Sequence, residues 1–292
     1  MFSLFLLTGC SGEKKEIKKN KIVTSNWIGY APILYAYEIG DLEKLNIELI
    51  VSSSLQSSVL MYKKNKLDGI CSTKIEIDYI NQSENKSLHI TPISIFNRSY
   101  GGDVILSNIK KEQLYSNNYK NIDVFLEKDS INEVIFKAFK KMVNLDTNYT
   151  INYLDQYNLS KLNYTNNTNK VKLLVTYEPY ATKLKQKGFH LIESTKNDKI
   201  LVFDFLSVNN NSFTKTQIKK LQNIINKSIN TLQNNPKKVF ESIKFYYDDI
   251  TYEEFNTLLT EIKLFSKERK DIFLSLIKKE KICNKQNYLK EQ

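Results

Sequence analysis

Short apolar runs that end in helix-capping residues recur along this chain, and that recurrence restricts the fold more than any other feature. Lys21 to Ser25 reads as a strand, followed by the loop Asn26-Trp27-Ile28-Gly29-Tyr30 and a helix from about Pro32 to Lys44 with proline at its start. Ile47 to Val51 is a second strand running into Ser52-Ser53-Ser54, a cluster of N-cap residues ahead of a helix over Leu55 to Lys64. Leu67 to Cys71 reads as strand, Ser72-Thr73 as cap, then helix to about Asn81 and strand again at Leu88 to Phe96. Strands alternating with helices through short loops predict βαβ units.

The pattern restarts after Gly101-Gly102. Val104 to Ser107 and Ile122 to Leu126 read as strands, and Asp129-Ser130 caps a helix whose apolar face carries Val134, Ile135, Ala138, Phe139, Met142 and Val143. Thr150 to Tyr153 is strand, Asn158 to Asn169 a polar surface loop, Val171 to Thr176 strand, and Pro179 to Lys187 helix closed by Gly188. Leu201 to Val208 gives one more strand before a helical tail from Lys215 to the end. The expected fold is therefore α/β with two lobes, each a mainly parallel sheet flanked by helices. The chain is expected to cross between them near residues 96 to 103 and 200 to 207. One lobe comprises 22–97 with 205–292, including the C-terminal helices; the other comprises 98–204.

A chain of 292 residues with 41% hydrophobic content, 8 Gly and 4 Pro is neither disordered, collagen-like nor a disulfide-held miniprotein. Its net charge of +11 is spread over every stretch alongside abundant Asn and Ile, and no basic helix, zinc pattern or aromatic-basic module accompanies it. The charge thus reads as residue usage, and no nucleic-acid partner is expected. The first ten residues form an apolar run that ends in small residues and turns abruptly polar, as an export signal does. Within it, Leu7-Thr8-Gly9-Cys10 resembles the lipobox of bacterial lipoproteins. That resemblance implies removal of residues 1–9, lipidation of Cys10, and a membrane-anchored body on a solvated tether of residues 10–21. Nothing later approaches the ~18 uninterrupted apolar residues of a membrane span. Cys71 and Cys283 remain; they can pair in an oxidising compartment, although two independent thiols are the preferred reading, with Cys71 a small hydrophobe in a strand.

Ligands of open α/β sheets bind at the carboxyl ends of strands. Trp27 and Tyr30, Ser52 to Ser54, Ser72-Thr73, and Asp129-Ser130 all follow strands. Helix N-termini at Ser53-Ser54 and Ser130 can hold a carboxylate, sulfonate or phosphate, or these residues are simply caps. Trp27, the single tryptophan, either stacks on a solute or lids the core of its lobe. Glu178 either steadies the helix that Pro179 opens or accepts hydrogen bonds from a solute amine. Asp103 and Asp204 lie near the crossovers, where they hold hinge backbone or reach the ligand. Glu76, Asp78, Asp248 and Asp249 read as solvated faces, and His89 and His190 as structural. No phosphate-binding loop, dinucleotide fingerprint or paired-cysteine motif is present, so no metal or cofactor is expected, nor catalysis.

The string Asn26-Trp27-Ile28-Gly29-Tyr30-Ala31-Pro32-Ile33-Leu34-Tyr35-Ala36, then Gly40-Asp41-Leu42-Glu43 and Ile47-Glu48-Leu49, resembles the opening of the nitrate/sulfonate/taurine group of ABC-importer substrate-binding proteins. The similarity continues through Ser52-Ser53-Ser54, Leu67-Asp68-Gly69, Ser99-Tyr100-Gly101-Gly102-Asp103, Val175-Thr176-Tyr177-Glu178-Pro179-Tyr180 and the strand around Asp204. It implies a periplasmic-binding-protein fold of type II and an exported, periplasmic or cell-surface monomer. Such a protein captures a small solute between its lobes and hands it to a membrane permease driven by an ATPase. The expected ligand contacts are Trp27, Tyr30, Ser53, Ser54, Thr73, Tyr100, Asp103, Ser130, Glu178 and Asp204. An acidic acceptor beside aromatics points to a solute with N–H donors, either an aminosulfonate such as taurine or an aminopyrimidine of the thiamine-precursor type. The rival readings are an enzyme on the same fold acting on a small carboxylate, with Glu178 or Asp204 as acid or base, and a ligand-dependent sensor.

Overall fold

Successive residues of a strand face opposite sides of its sheet, so a strand apolar at every position must be covered on both faces. Ile22 and Val23 show this directly: both are fully buried, yet they belong to different hydrophobic clusters. The structure, a computed structural model, describes residues 19–116, 119, 121–145, 148–166, 170–197, 199–209, 211–247 and 250–265. Expectations for Cys10, Cys283, Asp248, Asp249 and the export segment fall outside those residues.

The strand β1 (Asn20–Ser25) pairs in parallel with β2 (Ile47–Ser52) and β3 (Gly69–Thr73). Three helices connect or follow them: α1 (Ala31–Glu38), α2 (Leu55–Asn65) and α3 (Lys74–Asn81). Both α2 and α3 begin where the sequence places caps: the Ser54 hydroxyl accepts the Ser57 N–H, and Thr73 forms a reciprocal capping box with Glu76. The helix α1 stops earlier than Lys44 because Gly40 adopts a positive φ of 74°. The strand β4 (Thr91–Ser99) belongs to the same sheet, and at its end the chain crosses to the second.

The second sheet holds β5 (Asp103–Ser107), β6 (Asn121–Leu126), β7 (Asn148–Tyr153), β8 (Val171–Tyr177) and β9 (His190–Ser194). With it come the helices α4 (Lys111–Ser116), α5 (Ile131–Met142), α6 (Gln156–Ser160) and α7 (Tyr180–Gln186). The chain returns to the first sheet through β10 (Phe203–Val208) and closes with α8 (Lys215–Asn234), α9 (Pro236–Ile243), α10 (Tyr252–Leu259) and β11 (Ile262–Leu264). Leu221, Ile225, Ile229 and Leu232 line one stripe of α8 and bury against the Ile22 face of the first sheet.

The strand orders are β11-β4-β10-β3-β1-β2 and β7-β6-β8-β5-β9. The fold is α/β as expected, but each sheet is mixed. The βαβ segments pair in parallel, whereas β4, β5, β9 and β10, which carry the chain between sheets, pair antiparallel to their neighbours. A strand that enters a sheet from the far side must run against the strands already there. The strands β9 and β11 and the short helix α6 replace segments read as connections, polar loop and helical tail.

Both crossovers meet at one knot of hydrogen bonds. The Ser99 N–H donates to the Val202 carbonyl (2.9 Å), the Ser99 and Thr195 hydroxyls pair (2.8 Å), and the Gly101 N–H donates to the Thr195 hydroxyl (2.9 Å). The Glu261 carbonyl accepts from the N–H groups of Tyr100 (2.8 Å) and Gly102 (3.1 Å), tying the C-terminal segment to the same point. Gly101 needs its φ of +118°, and Gly102 lies so close to the Trp27 ring that a Cβ there would sit 2.3 Å from it. We predict that Gly102→Ala lowers stability by about 1–3 kcal/mol through overpacking, a drop in Tm of several degrees by calorimetry. An unchanged Tm would mean that the ring is free to move aside.

A candidate functional site of buried carboxyls and aromatics

The antiparallel entry of the crossover strands decides what meets at the cleft. Asp103 is the first residue of β5 and Asp204 the second of β10, so both stand at the end of their sheet where the parallel strands finish. In register, Asp103 lies beside Tyr177 at the end of β8, and Asp204 beside Thr73 at the end of β3. The space between them is lined by Ser25, Trp27, Tyr30, Leu55, Thr73, Asp103, Ile131, Tyr177, Val202 and Asp204. It amounts to about 10 Å³, room for no more than one water.

Asp204 organises this space. Its Oδ2 accepts from Trp27 Nε1 (2.9 Å) and its Oδ1 from the Tyr30 hydroxyl (3.0 Å). The Trp27 ring in turn meets Tyr177 edge-on, with centroids 5.8 Å apart. Trp27 therefore spans the two sheets, covering Gly102 and anchoring a buried carboxyl at once. Two further carboxyls are buried nearby. Glu76 sends Oε1 across to the Ile131 N–H at the start of α5 (2.7 Å), while its Oε2 accepts from the Thr73 N–H (3.0 Å) and the Thr73 hydroxyl. Glu127 Oε1 accepts the Gln156 N–H (3.2 Å).

Among the described residues that line the cavity, none is Lys or Arg. Burial consequently dominates the acid–base behaviour of these groups. Asp204 is pushed up to about 8 by burial and by Asp103, against the opposing bonds from Trp27 and Tyr30. Asp103 is pushed up to about 7 and Glu127 to about 8, again chiefly by burial. Glu76 is raised by burial too, an effect opposed by its bonds from Thr73 and Ile131. The cleft is thus rich in acceptors and in groups that give up protons near neutrality, and it is walled by aromatic rings.

Of the residues singled out from sequence, Trp27, Tyr30, Thr73, Asp103 and Asp204 line the cavity together. Ser54 and Ser130 cap α2 and α5 at its rim; Ser130 accepts the Asn132 N–H (3.2 Å). Three others stand away from it. Ser53 is exposed and offers only its carbonyl, to the Tyr180 hydroxyl. Tyr100 lies outside, its ring under Lys263 Nζ at 3.5 Å. Glu178 turns to its own helix, accepting from the Thr182 N–H (2.9 Å) and pairing with Lys185 (2.9 Å). Its structural reading is the one the geometry adopts, because a carboxylate just ahead of Pro179 meets the free N–H groups of α7 first. Cys71 is buried and free, with its thiol pushed up by burial.

Glu76 departs most sharply from the sequence expectation: a solvated face is expected there, and the side chain is 0% exposed. The signal was present, since Thr73-x-x-Glu76 is a capping-box pattern that turns the glutamate back toward the strand end. Glu127, Tyr177, Leu55 and Ile131 were also unassigned. The last two enter through backbone N–H groups, which no side-chain pattern marks.

No protein-family model matches the chain, and no curated protein matches it in sequence. Its fold does have relatives among solved structures. The periplasmic aliphatic sulphonate-binding protein SsuA of Escherichia coli superposes with a TM-score of 0.63 at 12% identity, over 85% of this chain and 81% of that one. The ligand-binding component of an ABC-type import system from Staphylococcus aureus, solved with zinc bound, gives 0.65 at 12% identity over 91% and 93%. The alkanesulfonate-binding protein SsuA of Xanthomonas axonopodis pv. citri, bound to MOPS, gives 0.64 at 9% identity over 86% and 87%. The chain has the periplasmic-binding-protein fold.

Four buried carboxyls, those of Asp103, Asp204, Glu76 and Glu127, make stability depend on pH in a defined direction. Each holds its proton more tightly in the folded chain than in the unfolded one, so its contribution is complete at low pH and is lost as pH rises through the folded pKa. We predict that Tm without solute falls between about pH 5 and about pH 8, each such group adding a slope of up to about 1.4 kcal/mol per pH unit. Asp204→Asn should flatten that decline in a pH series of thermal melts. An identical slope in the variant would show that Asp204 is ionised throughout.

Proposed function

We propose that this chain is the extracytoplasmic solute-binding component of an ABC importer, anchored to the membrane through lipidated Cys10. In this reading it works as two lobes, 22–97 with 205–292 and 98–204, which close on one small organic solute and present the closed form to a permease and its ATPase. The observation that carries the reading is the pairing of Asp103 and Asp204. They come from different sheets and meet at the crossovers, beside Trp27 and without a lining Lys or Arg. Such a cleft favours a solute that brings N–H donors or positive charge together with a flat or alkyl surface for Trp27, Tyr30 and Tyr177.

That preference separates the two solute types expected from sequence. An aminopyrimidine or similar organic cation offers N–H groups to Asp103 and Asp204 and a ring to Trp27. An aminosulfonate must also place an anion beside buried carboxyls, which is unfavourable. The cavity as it stands holds no such molecule, so capture requires the lobes to part and then re-close on the solute. Binding supplies the differential affinity that favours the closed form.

A calorimetric panel of organic cations, aminopyrimidines, aminosulfonates and oxyanions tests this. Expected is binding of a cationic or amino-heterocyclic member, with recovery of the unchanged molecule. Asp204→Asn and Trp27→Ala should each weaken it by about 1.5–3 kcal/mol, roughly tenfold to more than a hundredfold. Binding of oxyanions alone, unaffected by Asp204→Asn, would overturn the proposal. Conversion of the solute would instead assign Asp103 and Asp204, which titrate near neutrality, to proton transfer.

A further inference from the structure

The N-terminus of α5 faces the cleft and offers the backbone N–H groups and positive dipole end that ordinarily attract an anion. Here that position is taken. Glu76, carried by α3 on the first sheet, reaches across to α5 on the second and places a carboxyl oxygen 2.7 Å from the Ile131 nitrogen. A second feature marks the same helix end as donor-rich: Asn132 is fully buried, and among the described residues its Nδ2 finds no hydrogen-bond acceptor. The neighbouring helix start is treated alike, with the Leu55 N–H of α2 donating to the Tyr177 hydroxyl of the second sheet (3.0 Å).

We propose that Glu76 is a specificity determinant: it is the chain's own anion at the α5 N-terminus, and its presence bars external carboxylates and sulfonates from the cleft. Thr73 fixes it there. Both its N–H and its hydroxyl bond the other carboxyl oxygen, so the side chain is held from its own helix while it reaches across the gap. An external anion would have to displace a tethered carboxylate that has lost little freedom by binding, and would then leave that carboxylate buried without its partner. The same arrangement adds acceptor character to the cleft, which suits a cationic guest. The meaning for solute choice rests on the solute-binding reading above, whereas the anion measurement stands whether or not any cation binds.

The test uses the full chain and the anions themselves. Glu76→Ala removes the atoms of an acetate ion and opens the position; Glu76→Gln keeps the shape and discards the charge. Acetate and methanesulfonate are titrated against chloride at equal ionic strength, with thermal melts and calorimetry as readouts and the Ile131 amide followed by NMR in the unsubstituted chain. Expected is saturable stabilisation of the Glu76→Ala chain by acetate, with affinity roughly tenfold or more above that of the unsubstituted chain, and no such gain for Glu76→Gln, whose amide oxygen still fills the position. The Ile131 amide of the unsubstituted chain should not shift. The proposal is overturned if folded Glu76→Ala responds to acetate no better than the unsubstituted chain, or if acetate shifts Ile131 saturably while Glu76 is present. Should Glu76→Ala fail to fold, Glu76→Ser, which also vacates the position, and the amide shift of the unsubstituted chain decide the question.

Discussion

The structure depends on bringing two aspartates to one point without a basic partner among the described residues, and on the hydrogen bonds that make this tolerable. A buried carboxyl is costly unless its oxygens are satisfied or it takes up a proton. Asp204 uses both means: Trp27 Nε1 and the Tyr30 hydroxyl occupy its two oxygens, while burial and Asp103 raise its pKa. The bond to Trp27 does more than satisfy an acceptor. It fixes the ring against Gly102 and Tyr177, so the carboxyl of one sheet, the crossover and the aromatic wall of the other sheet are held as one unit.

Closure follows the same logic on both sides of the cleft. The free N–H groups at the starts of α2 and α5 are answered by groups of the opposite sheet, Tyr177 and Glu76. Little space remains between them. A helix start that points into a gap between two bodies is either wet, ligand-bound or plugged, because its donors have no partner within the helix. In this conformation they are plugged; in the proposed solute-binding role, opening would exchange those bonds for water or for solute. Under that proposal, the balance between internal and external partners is what would give a solute leverage over an equilibrium between open and closed forms.

Local signals were legible in the sequence where one element decided the matter alone. The caps Ser54, Thr73 and Ser130 start α2, α3 and α5 as expected, and Gly188 takes a positive φ of 105° after α7. The alternation of strands and helices was sufficient to read an α/β fold. Long-range pairings were not legible. The strand β11 is three residues long and exists because its partner β4 offers an edge, and β9 is held by β5. At the candidate site, Trp27, Tyr30, Asp103 and Asp204 line one cavity as their places in the chain suggest, because loop position and crossover position are properties of the chain order. Glu178 was drawn away by its own helix and by Lys185. Glu76 was missed because its role lies in a contact with Ile131, 55 residues on.

The most direct measurement is a crystal structure of the chain purified from its native source. The account predicts one small molecule enclosed between the sheets, a nitrogen of it within hydrogen-bond distance of Asp103 or Asp204, its flat face against Trp27, and Glu76 still on the Ile131 N–H. A solute bound outside the cleft, or an anionic group seated on the α5 N-terminus with Glu76 swung away, would contradict it.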